Sequence, residues 1–146
     1  MKPAPFWPPT PSQTLLLCAA LLPVSQALPA WQMWCVQTDI EHTHPDFGSS
    51  RLLPLVWHNL HEAAPDVPLM GRLRGIYRHT WATNQAWIAG IDRGLCDLAD
   101  AGIEALLLSD GAMLATYYGD SGLRALAEGA VLVHPEQARP ALQTLA

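Results

Sequence analysis

Apolar positions recur at three- and four-residue steps through most of the first hundred residues, then give way to two short unbroken apolar runs. The clearest period lies between Val67 and Ala99. There Leu73, Ile76, Tyr77, Thr80, Trp81, Asn84, Trp87, Ile88, Ile91, Leu95 and Leu98 line one stripe of a long helix. Asp66 stands where it can cap that helix, and Gly102 after Ala101 is a natural left-handed stop. Gly71, Gly75, Gly90 and Gly94 each weaken the helix by about 1 kcal/mol relative to alanine and leave room for close packing or a bend. Upstream, Ser12 to Leu22 and Leu28 to Thr38 read as short helices parted by Pro23. Arg51 to Glu62 reads as a third, bounded by Pro65, and the polar stretch Asp39 to Ser50 before it as a loop.

Downstream the period changes. Ile103 to Leu108 and Ala130 to Val133 are apolar runs of strand length, expected as buried strands. Between them Ser109-Asp110-Gly111 reads as a turn, Ala112 to Tyr118 as a short helix, and Gly119 to Gly122 as further turns. Pro135 opens a last helix, at a position where its missing N–H costs nothing. The expected class is α+β: a Pro-rich leader over 1–12, a helical region over 13–100, and a strand-helix-strand-helix unit over 101–146.

A length of 146 residues suits one domain, and 50% hydrophobic against 14% charged residues argues against disorder. The formal charge is −5, with Lys2 the single lysine, so the chain carries no electrostatic footprint for duplex nucleic acid. Cys18, Cys35 and Cys96 match no zinc or redox spacing and read as buried reduced thiols. No run reaches the ~18 apolar residues of a membrane span. Two readings of the N-terminus stay open. Lys2, the run Leu15 to Leu22 and Ser25-Gln26-Ala27 fit the parts of a secretory signal, with cleavage after Ala27 leaving Cys35 and Cys96 as a possible disulfide pair. Five prolines ahead of a short run, with one charge, fit a buried helix of a cytoplasmic protein instead.

Several short motifs, in order, resemble the bacterial uncharacterised nucleotidyltransferase family of the polymerase-beta-like superfamily. They are Ala19-Ala20-Leu21-Leu22 with Trp31 and Trp34, then Arg51-Leu52-Leu53-Pro54-Leu55 with His58-Asn59-Leu60. Ala101-Gly102-Ile103 leading into Leu106-Leu107-Leu108 follows, and last Tyr117-Tyr118-Gly119-Asp120-Ser121-Gly122-Leu123-Arg124. The resemblance runs from about Leu15 to the end and implies a partial nucleotidyltransferase-like core over 101–146. It also implies that Ser109, Asp110 and Gly111 lie at the nucleotide phosphates, that Arg124 contacts a phosphate, and that Glu128 is a catalytic, Mg²⁺-binding carboxylate.

The family pattern is broken at its chemistry. Ser109 and Asp110 stand where the family has Lys-Gly, and a carboxylate beside phosphates is repulsive. Glu128-Gly129-Ala130 stands where two carboxylates one residue apart share a strand face and hold Mg²⁺. The expectation is a truncated or degenerate member, left with residual nucleotide binding, self-association or docking to an intact paralogue. One alternative is an active Mg²⁺-dependent enzyme using Glu128, Asp110 and Asp120; another is a small exported protein. Beside these stand plainer readings: Arg124 as a surface residue paired with Asp120 or Glu128, and Tyr117 and Tyr118 as core. The tryptophans at 31, 34, 57, 81 and 87 read as core packing of the helical half, with a minority left exposed. His58, His61 and Glu62 on one helical turn, with His42 or His44 from the loop, form a weaker candidate for zinc.

Overall fold

The computed structural model describes residues 8–38 and 45–146, divided into one compact unit up to Tyr77 and a second from Arg78. Residues 1–7 of the expected leader, and the loop histidines His42 and His44, lie outside the described residues.

The first unit is helical. α1 (Pro11–Leu21) starts inside the expected leader because Thr10 and Gln13 form a capping box, each side chain accepting the other's backbone N–H, with Pro11 at the first helical position. Pro23 ends the link and leads into α2 (Val24–Gln37), which begins earlier than expected and carries Pro29 within it. The segment expected as a loop forms a single turn, α3 (Phe47–Ser50), capped by the Asp46 carboxylate on the Ser49 amide at 3.1 Å. Those bonds from Ser49 hold the Asp46 carboxyl below its ordinary value. α4 (Leu53–Leu60) packs on α1 and α2.

Leu16, Ala19, Ala27, Trp31, Trp34, Val56, Leu60 and Leu73 are all but inaccessible and form this unit's core. Trp31 and Trp34 stack with ring centres 5.1 Å apart, and Trp31 Nε1 donates to the Pro68 carbonyl at 3.1 Å. Trp34 Nε1 is equally buried and has no partner among the described residues, a cost of about 1–3 kcal/mol borne by the surrounding apolar packing. Asn59 on α4 donates to the Ala19 and Leu22 carbonyls, both at 2.9 Å, and so satisfies orphan acceptors at the end of α1. Cys35 lies against this core, and burial pushes its thiol up to about 11. All three cysteines are free, but Cys96 is exposed and not buried as expected, because it falls off the apolar stripe of its helix.

α5 (Met70–Asp100) is the long helix, and it starts four residues past Asp66, which therefore does not cap it. Its early residues Leu73 and Ile76 belong to the first core. Its C-terminal part, Leu98 included, belongs to the second unit, with β1 (Ala105–Leu108), α6 (Ser109–Tyr117), β2 (Ala130–Val133) and a 3₁₀ turn from Pro135 into α7 (Ala138–Thr144). The turn after α5 is a full Schellman motif: Gly102 at φ +72° donates to Ala99, and Ile103 donates to Leu98, both at 2.9 Å. Leu98, Ile103 and Ala141 then close a small core with Ala105, Val131 and Val133 against it.

The class is α+β, mostly helical, with a two-stranded antiparallel sheet in the register Ala105↔Val133 to Leu108↔Ala130. The two strands are not buried on both sides as their composition suggests. Leu106 and Leu132 sit opposite each other and are 60% and 56% exposed, because helices cover one face of the ribbon only. Ser109-Asp110-Gly111 is no separate turn but the first turn of α6. Tyr117 is 78% exposed, so it is not core, and Trp81 and Trp87 are a little under half exposed on α5.

Gly102→Ala is expected to cost about 1–2 kcal/mol, the strain of a Cβ in left-handed backbone, since nothing else crowds that position. Urea denaturation checks this; wild-type stability in the variant contradicts the assigned cap.

Candidate functional site

The residues expected at a nucleotide all fall in the second unit, around the connection from α6 to β2. That connection has no ladder of its own, so its backbone groups need partners elsewhere. Asn84, buried on α5, supplies three. Its amide Nδ2 donates to the Ser121 carbonyl and, at 2.7 Å, to the Arg124 carbonyl, while its Oδ1 accepts from the Leu126 amide at 3.0 Å. Gln85, one residue on, donates to Ser121 Oγ at 2.8 Å, and Asp120 Oδ1 accepts from the Gly122 amide at 2.7 Å.

Asp110 holds the same segment from the other side of the sequence. It is buried in the first turn of α6, and its two oxygens are both engaged. Oδ1 accepts from Arg124 Nη2 at 2.7 Å and Nε at 3.2 Å; Oδ2 accepts from the Ala127 amide at 3.1 Å. The Arg124 guanidinium also lies 6.0 Å from the centre of the Tyr118 ring. Hydrogen bonding to Asp110 raises Arg124 above its ordinary value, against the opposing effect of partial burial. Arg124 thus pairs with Asp110, and the expected pairing with Asp120 or Glu128 is corrected. A residue fourteen positions away in sequence reaches it because the register sets Leu108 opposite Ala130, which brings the start of α6 beside the end of the connection.

The remaining candidates do not converge on this pair. Ser109 is exposed at φ +54°, at the corner where β1 turns into α6. Gly111 is buried, and a Cβ there would stand 3.1 Å from Leu107 Cδ1, so packing on β1 accounts for the glycine without a phosphate. Glu128 is exposed and lies two residues ahead of β2, so the alternation of a strand does not carry it to the face of Ala130. Ala130 is the first strand residue, opposite Leu108. Between them a Cβ on Gly129 would meet Ile91 Cγ1 at 3.0 Å, so close packing on α5 accounts for that glycine. Among the described residues, no group of three or more His, Cys, Asp or Glu side chains gathers in metal-holding geometry.

In the first unit, His61 Nδ1 contacts the His58 carbonyl at 3.0 Å and Nε2 lies 3.8 Å from Glu62. Its ring stacks on Trp57 at 4.2 Å, and Tyr77 also stacks on Trp57, at 4.0 Å. This arrangement engages the ring of His61 in packing and does not aim it with His58 at a shared ion.

The second unit also holds an apolar cleft of about 480 Å³ between α5 and the sheet, lined by Trp87, Ile91, Leu95, Leu107, Val131 and Leu145 among others. Among the described residues no charged side chain lines its wall, and only Thr83 and the Trp87 indole bring polar side-chain groups to it, which leaves nothing there to neutralise a triphosphate. Comparison with protein-family models, with curated proteins and with solved structures finds no match.

Sequence reasoning did not find Asn84, which it assigned to the apolar stripe of α5. The usable signal was there: an amide side chain at a core-facing position, between Trp81 and Trp87, has to find polar partners. Asn84→Ala is expected to cost about 3 kcal/mol, because a buried amide and two carbonyls lose their partners together. Chemical denaturation measures it; a loss near zero would mean that water replaces the side chain and that Asn84 holds nothing.

Proposed function

We propose that this chain is a catalytically silent relative of the polymerase-beta-like nucleotidyltransferases, working by binding and not by nucleotidyl transfer. The observation that carries the reading is the engagement of Asp110 with Arg124 and Ala127, which ties up the carboxylate and the cation nearest the expected phosphates. Two-metal phosphoryl transfer needs at least two carboxylates aimed at one point. Glu128 lies in solvent ahead of the strand, and Ala130 brings only a methyl group. The family assignment itself rests on the motifs quoted from the sequence. The roles left to such a chain are residual nucleotide contact, self-association and docking to an intact paralogue.

The reading keeps the protein in the cytoplasm. Among the described residues no helix is long and apolar enough to cross a membrane. Export with cleavage after Ala27 would strip Leu16, Ala19, Ala20 and Ala27 from the first core, which favours α1 as part of the fold.

Incubation of the purified chain with Mg²⁺ and each labelled nucleoside triphosphate tests the proposal. No pyrophosphate release above the protein-free control is expected. Release that disappears in Glu128→Gln would overturn the reading in favour of the improvised ligand set Glu128, Asp110 and Asp120.

A further inference from the structure

Arg124 Nε, Arg124 Nη2 and the Ala127 amide converge on one carboxylate, and that carboxylate is the protein's own. Three N–H donors on two oxygens, two of them from one guanidinium, is the arrangement that binds a carboxylate or phosphate from solution. The Asp110 side chain in it is 10% exposed and the Arg124 side chain 31%, so the pair is largely withdrawn from water and little weakened by screening. The backbone that carries them is also held independently of the anion. Asn84 pins the Arg124 carbonyl and the Leu126 amide, the residues on either side of Ala125 and next to Ala127.

We propose that Arg124 and the Ala127 amide form a carboxylate cradle which the chain fills with Asp110, closing an anion site from within. It is an autoinhibitory contact at the site of the proposed function, and rests on that reading only for the identity of the outside anion, a phosphate group. The cradle itself follows from the geometry, and its test needs no nucleotide. While Asp110 is in place, an external phosphate would have to displace a tethered carboxylate already at high effective concentration. Once the side chain is removed, the donors face an empty pocket of its shape.

Asp110→Gly deletes a methylene and a carboxylate, the groups that acetate supplies. The variant is expected to melt below wild type, and its Tm to rise with added acetate relative to chloride at equal ionic strength. Inorganic phosphate should raise it too, while wild type responds to neither anion and Asp110→Gly with Arg124→Gln loses the rescue. Absence of an acetate response in folded Asp110→Gly overturns the cradle; an Arg124-dependent phosphate response in wild type overturns its closure by Asp110. If Asp110→Gly does not fold, Asp110→Asn reads the same contact through hydrogen exchange. Faster exchange at Ala127, matched in Arg124→Gln, supports the cradle, and wild-type protection at that amide overturns it. Nucleotidyl transfer by the wild-type chain would refute the proposed function and leave these results unaffected.

Discussion

The link from α6 to β2 carries no regular structure, and its course depends on two buried polar side chains, Asn84 and Asp110. An amide and a carboxylate are the right pair for this task. Asn84 offers donors to two carbonyls and an acceptor to one N–H, while Asp110 offers two acceptors to a guanidinium and an amide. Without them the Ser121 and Arg124 carbonyls and the Leu126 and Ala127 amides would lose these partners, and the approach of β2 to β1 would be less well directed. The sheet that results is only two strands wide and is covered on one side, so it cannot supply that direction from packing alone.

The same engagement decides what the site can do. A carboxylate that accepts from an arginine and an amide has little left to offer a metal, and the arginine's charge is already countered before any phosphate arrives. Each neutralises the other, which makes the pair a structural element first. The glycines nearby answer to steric neighbours: Gly111 to Leu107, and Gly129 to Ile91. Glu128 is left exposed beyond the end of the strand. The two glycines are thus accounted for by folding requirements, and the proposed relation to nucleotidyltransferases rests on motif order.

Much of the architecture was legible in residue periodicity. The break at Pro23, the C-terminal end of α5, the left-handed stop at Gly102 and the second strand at Ala130 follow from single residues with strong backbone preferences or from long apolar repeats. What escaped was decided by partners distant in sequence. The helical turn at Phe47 depends on Asp46 reaching Ser49, a cap hidden in a polar stretch. The half-open sheet could not be read from four-residue apolar runs, because the number of covering layers is a tertiary fact. The candidate site was legible as a list of residues but not as a set of contacts. Asp110 and Arg124 were both singled out, and their attachment to each other was not, since no spacing rule joins the start of a helix to the end of an irregular link.

The central claim is that Asp110 and Arg124 stabilise this link as a unit. A double-mutant cycle with Asp110→Asn, Arg124→Gln and the double variant, followed by chemical denaturation, tests it most directly. The account predicts a coupling of about 1–3 kcal/mol, with the double variant less destabilised than the two single losses added together. Additive losses would mean that the two side chains act separately, and would contradict it.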